Sequence, residues 1–245
     1  MSLKKPDQCV VCASPYMAAL GQYKNEFGRA TDLFFCMECR SFSSPFSTPD
    51  PVASSLKWHQ SVEERNLNAS GELLDFLTAS GTKISRILDI GCGTGTLLRK
   101  AKERGIDGVG FDLDADSIRY GRETFGPDLR AEKWTPDLDV GHIDLITCIM
   151  VLEHIHHPRE LIGDLAKAAK THKCPIFVSV PFFEKDWWPH LLRDNQTPGF
   201  HPLKQPNIHV THYTRDGMTK AFNQHGASGA SEGRHRMWPG LVIAP

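Results

Sequence analysis

Between residues 86 and 181 the chain alternates short apolar runs with stretches in which apolar residues recur every three or four positions. "RILDI" (86–90), "GVGFDL" (108–113), "IDLITCIM" (143–150) and "PIFVSV" (175–180) have the length and β-branched content of buried strands. Between them lie helical patterns. "TLLRKAKERG" closes on Gly105, "DADSIRYGRETFG" has Asp114 placed to cap it, and "PRELIGDLAKAAK" opens on Pro158, where a missing N–H costs nothing. Further on, "TRDGMTKAFNQHG" predicts a helix capped by Thr214 and stopped by Gly226. Upstream, Leu73, Leu74 and Leu77 in "SGELLDFLTASG" predict a helix with Ser70 as its cap and Gly81 beyond its end. Strands alternating with helices imply right-handed crossovers, hence an α/β fold: a mostly parallel sheet with helices on both faces.

The first 45 residues do not share this rhythm. Four of the seven cysteines stand there as two pairs, "CVVC" (Cys9, Cys12) and "CMEC" (Cys36, Cys39). Two CxxC turns some two dozen residues apart suit a tetrahedral zinc ion, and four thiolates close its shell to water and substrate. Such a metal is structural, because a segment this small buries too little surface to fold without one. Four unrelated buried thiols is the alternative. "SFSSPFSTPDPVASS" (41–55) follows, and its serine and proline content predicts a linker or an extended crossing segment. The expected organisation is a zinc-ribbon-like appendage over 1–45, a linker with N-terminal helices over 46–80, and the α/β domain over 81–245. Cys92, Cys148 and Cys174 have no partner at ligand spacing and read as inert packing.

Composition narrows the partners. The formal charge is −1, and residues 1–50 carry five basic and five acidic side chains, so nothing draws the chain or its ribbon to nucleic acid. No stretch reaches the roughly 18 apolar residues of a membrane helix, and no signal-peptide pattern opens the chain. A cytoplasmic protein with a small-molecule partner and no membrane or nucleic-acid role is expected. Oligomeric state is open.

The chemistry centres on "RILDIGCGTG" (86–95). A glycine-rich loop that leaves the first strand and feeds a helix lets backbone approach a ligand and offers it amide donors. Asp112, about 20 residues on at the end of the second strand, is placed to accept hydrogen bonds from both ribose hydroxyls. A dinucleotide loop of form GxGxxG would need a third glycine where Thr96 stands; the loop here is GxGxG, preceded by Asp89. "LDIGCGTG" resembles the first motif of the class I S-adenosylmethionine-dependent methyltransferases. "GVGFDLDADSI" is similar to their second motif, "IDLITCIMVLEHIHHP" to their fourth strand and its turn, and "PIFVSVP" to their fifth. "HVTHYTRDGMTKAFNQHG" resembles the stretch before their sixth strand, and "MWPGLVIAP" is expected to supply the last hairpin strand. The resemblance implies a Rossmann-like domain of methyltransferase type 11/12 kind that takes S-adenosylmethionine as cofactor, with Zn2+ in the ribbon.

Carried over position by position, the resemblance places Asp89, Gly91, Cys92, Gly93 and Gly95 around the methionine end of the cofactor and Asp112 and Leu113 at the ribose. Ile149 and Met150 would flank the donor, and in "LRAEKW" Glu132, Lys133 and Trp134 are the adenine candidates, Trp134 foremost. A sulfonium methyl is already activated, so the protein has to align an acceptor and, for a hydroxyl or protonated amine, remove a proton. "EHIHHP" offers Glu153, His154, His156 and His157 at the end of the fourth strand; His154 is the expected base with Glu153 beside it. The bland reading has both merely shaping the turn into the Pro158 helix. His209, in a second group with His201 and His212, is a further catalytic candidate, with surface exposure as its alternative. A second metal held by the two histidine groups looks disfavoured, since HxHH in one turn chelates poorly. Trp187 and Trp188 in "EKDWWPH" either wall a pocket or anchor a cover. The expected function is methyl transfer to O, N or C of a small molecule, with sugar nucleotides and secondary metabolites leading by resemblance. The alternatives are a zinc-ribbon binding module on a silent scaffold and, further off, a dinucleotide-dependent oxidoreductase.

Overall fold

A computed structural model describes residues 5–24, 30–45, 55–79, 83–182, 209–227, 230–233 and 237–245. Gly81, Trp187, Trp188 and His201 lie outside the described residues. The ribbon contributes β1 (Met17–Lys24), β2 (Ala30–Cys36) and β3 (Phe42–Ser43), followed by the short helix α1 (Leu56–Ser61) and by α2 (Glu63–Thr78). The α/β region runs β4 (Arg86–Ile90), α3 (Thr96–Glu103), β5 (Asp107–Phe111), α4 (Ala115–Phe125), β6 (Asp128–Arg130), β7 (Leu145–Ile149), a 3-10 turn (Leu152–His154), α5 (Pro158–His172) and β8 (Ile176–Ser179). It ends with β9 (Thr211–His212), α6 (Arg215–Gln224), β10 (Ala230–Gly233) and β11 (Gly240–Ile243).

The seven-stranded sheet has the order β10-β11-β8-β7-β4-β5-β6. β4 pairs in parallel with both β5 and β7, which places it at the reversal of strand order, where open α/β sheets bind ligands beyond their carboxyl ends. β11 is antiparallel to both β8 and β10, so the C-terminal segment does supply a hairpin strand. The local end signals act as their chemistry requires. Asp114 accepts from the N–H groups of Asp116 and Ser117, Thr214 from that of Gly217, and Pro158 sits in the first turn of α5.

One sequence expectation fails here and one is settled. Ser70 does not cap a helix: it lies inside α2, fully buried, because the helix begins at Glu63 and runs through the polar "RNLN" that interrupts the leucine pattern. Of the two readings of the serine- and proline-rich stretch, residues 41–45 take the extended crossing segment and not the linker. Phe42 and Ser43 form a strand between β2 and β9, and Ser41 to Ser44 are all buried. The ribbon's four-stranded sheet, β1-β2-β3-β9, therefore takes its last strand from residues 211–212. Sidedness explains it: Val11, Phe34 and the cysteines pack in one cluster with Tyr213, Met218 and Phe222, so the ribbon closes its core on α6 instead of standing clear.

Candidate active site

The loop after β4 bends sharply. Gly91 and Gly93 have φ of 74° and 55°, and a Cβ on Gly91 would stand 2.1 Å from the Val151 side chain, so the loop packs directly on the turn after β7. The amide groups of Gly91 and Cys92 both donate to the Phe111 carbonyl (2.8 and 3.1 Å), Gly93 N–H donates to Asp112 Oδ2 (2.9 Å) and Gly95 N–H to the Cys92 carbonyl (2.9 Å). These four amides hold the loop's own shape, so any donors the loop offers a ligand are others than these. A pyrophosphate, which needs such donors, finds none of them available.

Asp112 ties this loop to the end of β5, accepting also from Asp114 N–H (2.9 Å); an ionised carboxylate has lone pairs left for two more donors. Leu113 beside it is 76% exposed, on the open edge. Asp89 is buried beneath the loop and accepts from Thr147 Oγ1 (2.7 Å). Burial raises its carboxyl from 3.8 to about 7, against the Thr147 hydrogen bond and with Asp112 adding repulsion. A carboxyl whose folded value exceeds its unfolded one stabilises the fold fully below pH 4 and loses that contribution as pH rises to about 7. Relative to Asp89→Asn, the ligand-free protein should therefore lose roughly 3 to 4 kcal/mol between pH 4 and pH 8, measurable by denaturant unfolding. A difference that does not change with pH contradicts this.

One residue escaped the sequence reading. His59, on α1, lies over the loop: a Cβ on Gly93 would meet its Cε1 at 2.6 Å. Burial pulls the imidazole below its usual range, opposed by the charges of Asp112 and Asp114. α1 is held there by Ser55, whose N–H and hydroxyl both donate to Asp114 Oδ2 (2.8 and 2.7 Å). Burial disfavours the charged Asp114, but the hydrogen bonds of Ser55 and Ser117 outweigh it and keep the carboxyl at about 2. Nothing in "LKWHQS" signals this contact, which depends on a cap 59 residues away.

Past β7, Ile149 is half-buried and Met150 38% exposed with φ 57°, a left-handed conformation uncommon for a non-glycine residue. Trp134 is packed in the main core cluster, its indole nitrogen without a hydrogen-bond partner among the described residues. The 3-10 turn brings Glu153 and His154 beside His209. His154 Nε2 is 3.9 Å from Glu153 Oε1, and the His154 and His209 rings stand 4.9 Å apart, edge to face. Surface exposure is wrong for His209, which is 5% exposed; burial, then His154, lowers its pKa to about 4. Glu153 is buried too, and burial raises its carboxyl to about 8. His156 and His157 stay outside the cluster, and His212 is buried with its ring 6.4 Å from that of His209.

The segment that carries His209 is bound on both sides. Val210 N–H donates to the Glu153 carbonyl (2.8 Å), the Tyr213 hydroxyl to the Leu152 carbonyl (3.0 Å) and the Thr211 hydroxyl to the Ile155 carbonyl (3.2 Å). On the other side Ser44 N–H reaches the Val210 carbonyl (2.8 Å), Thr214 Oγ1 the Cys39 carbonyl (2.6 Å) and Gln224 Nε2 the Cys12 carbonyl (2.8 Å). The four-cysteine centre and the Glu153–His209 cluster thus share one strand as a common wall.

At that centre Cys9 and Cys39 Sγ are 3.7 Å apart and Cys12 and Cys36 Sγ 3.6 Å, and all four sulfurs are buried within 4.8 Å of one another. Zinc–sulfur bonds of about 2.3 Å place tetrahedral sulfurs about 3.8 Å apart. Val11 N–H donates to Cys9 Sγ and Cys39 N–H to Cys36 Sγ (both 3.4 Å), as turns that stabilise thiolates do. Cys92, Cys148 and Cys174 are buried thiols, raised in pKa chiefly by burial.

The strand order, with the glycine loop at its reversal and a carboxylate ending β5, is the Rossmann-like fold of class I methyltransferases. The chain belongs to the methyltransferase domain family, whose model matches residues 60–231. Among curated relatives, the ubiquinone biosynthesis O-methyltransferase of Idiomarina loihiensis is 28% identical over 109 residues, 42% of this chain and 45% of that protein. The chain spans about half the length of the curated relatives it matches. In fold it is similar to a putative O-methyltransferase from Nostoc punctiforme (TM-score 0.58, 16% identity, covering 81% of this chain and 63% of that one). It is also similar to human N-acetylserotonin methyltransferase in complex with SAM (TM-score 0.56, 15% identity, 77% and 55% covered). No helix among the described residues is long and apolar enough to cross a membrane.

Proposed function

We propose that this protein transfers the methyl group of S-adenosylmethionine to a hydroxyl of a small molecule. The carrying observation is the loop at β4: its amides are spent on Phe111, Asp112 and Cys92, which suits a nucleoside without phosphates and leaves Asp112 for a ribose. On this reading Asp89, Gly91, Cys92, Gly93 and Gly95 surround the methionine end, with Asp89 in its ionised form facing the ligand's ammonium. Leu113 and Trp134 border the nucleoside, and Ile149 and Met150 border the donor. When bound, the cofactor supplies a methyl on positively charged sulfur. The protein's part is to align the acceptor oxygen behind that methyl, exclude water and draw off the hydroxyl proton. Glu153, His154 and His209 lie at the end of β7 where that proton must leave, and His154, the exposed member, meets the acceptor. Zn2+ in the Cys9, Cys12, Cys36 and Cys39 centre is structural, supported by the sulfur spacing and the closed donor set.

The hydroxyl acceptor is favoured by the names of the curated relatives, O-methyltransferases, so hydroxylated small molecules are the first class to try. With methyl-labelled S-adenosylmethionine, label should pass to at least one hydroxylated acceptor and fall at least 100-fold with His154→Ala. Transfer to amines alone would overturn the hydroxyl assignment.

A further inference from the structure

Glu153 is 1% exposed, and neither of its carboxylate oxygens has a hydrogen-bond partner among the described residues. A buried carboxyl in that state calls for a proton, a cation or a ligand at its oxygens. Two imidazoles stand beside it: one ligand atom each from Glu153, His154 and His209 lie within 4.8 Å of one another. The backbone fixes this arrangement, since the Glu153 carbonyl itself receives Val210 N–H and joins the turn after β7 to the segment carrying His209. His154 is the exposed corner, so the set is closed on the side of Glu153 and His209 and open at His154.

We infer that Glu153, His154 and His209 bind a divalent transition-metal cation, separate from the four-cysteine centre, that holds and acidifies the acceptor hydroxyl. Two imidazoles and one carboxylate suit zinc, manganese, iron or cobalt, and three protein ligands leave positions open for substrate, as catalytic sites do and the closed thiolate set does not. The HxHH pattern read in the sequence is the wrong set: only its first histidine takes part, joined by the preceding glutamate and a residue from the other end of the domain. The inference rests on the hydroxyl-methylation reading and deepens it. The acceptor oxygen, polarised by the cation, loses its proton to solvent. Its lone pair then forms the bond to the methyl carbon while the carbon–sulfur bond breaks, the electron pair stays on sulfur, and a neutral thioether leaves.

The test is a metal count on the full chain. After dialysis against EDTA the protein should retain one equivalent at the cysteines and bind one further equivalent of added Mn2+ or Co2+. Glu153→Gln and His209→Asn should each weaken the second equivalent at least 100-fold while keeping the first and leaving affinity for S-adenosylhomocysteine within threefold. His154→Asn, at an exposed position that cannot disturb the core, should weaken it at least tenfold. Retained nucleoside binding shows that the variants fold. Failure of the wild type to take a second equivalent, or a second equivalent unaffected in all three variants, overturns the inference. Failure of the wild type to bind S-adenosylhomocysteine instead overturns the methyltransferase reading, which the metal count does not touch.

Discussion

Cys36→Ser is expected to cost more than about 5 kcal/mol of stability, the largest single effect in the molecule, because structural zinc supplies about 10 to 16 kcal/mol to small metal-folded units. The loss would not stay in the ribbon. Cys36 ends β2, β2 pairs with β3, and β3 pairs with β9, one residue from Val210, which bonds Glu153. Release of the knuckles also frees the Cys12 and Cys39 carbonyls from Gln224 and Thr214, at the two ends of α6. Denaturant unfolding with zinc content measured on the same samples checks both parts: the variant should lack the chelator-resistant metal and unfold earlier, in the acceptor wall as well as the ribbon. A variant within about 1 kcal/mol of wild type would show that the sulfurs are merely packed.

Asp112→Ala should weaken S-adenosylhomocysteine binding at least 100-fold. Each hydrogen bond from a ribose hydroxyl to an ionised carboxylate contributes about 1.5 to 3 kcal/mol, so losing two costs about 3 to 6 kcal/mol, a factor of a hundred or more. The same change strands the Gly93 and Asp114 N–H groups, which loosens the loop and the start of α4. Asp112→Asn keeps an oxygen acceptor on one side only and should fall between. Calorimetry on variants with native circular dichroism measures both, and a threefold or smaller effect for Asp112→Ala would remove the ribose from that position.

What was legible in the sequence was what local chemistry dictates. Asp114, Pro158, Thr214 and Gly226 announce helix ends because each acts within its own turn, and the four apolar runs from 86 to 180 can only be covered strands. The paired cysteines were legible for the same reason: each pair sits in one short turn. Features that failed are long-range. Nothing in "SFSS" tells that Phe42 will pair with His212, since strand pairing across some 170 residues is decided by which apolar faces meet. His209 reads as a surface histidine until the turn after β7 is seen to bury it, and His59 lies over Gly93 only because Ser55 reaches Asp114. Ser70 misled because Asn66 and Asn68 break the apolar repeat within a helix held by its neighbours, among them Arg104, which bonds Asp75 and the Gly71 carbonyl.

The most direct test of the whole account is titration calorimetry of the full chain with S-adenosylhomocysteine at neutral pH, beside a reduced nicotinamide dinucleotide. One nucleoside site per chain, with heat that vanishes in Asp112→Ala and no heat from the dinucleotide, is the expected result. A well-folded protein that gives no heat with the nucleoside, or that takes the dinucleotide instead, would contradict it.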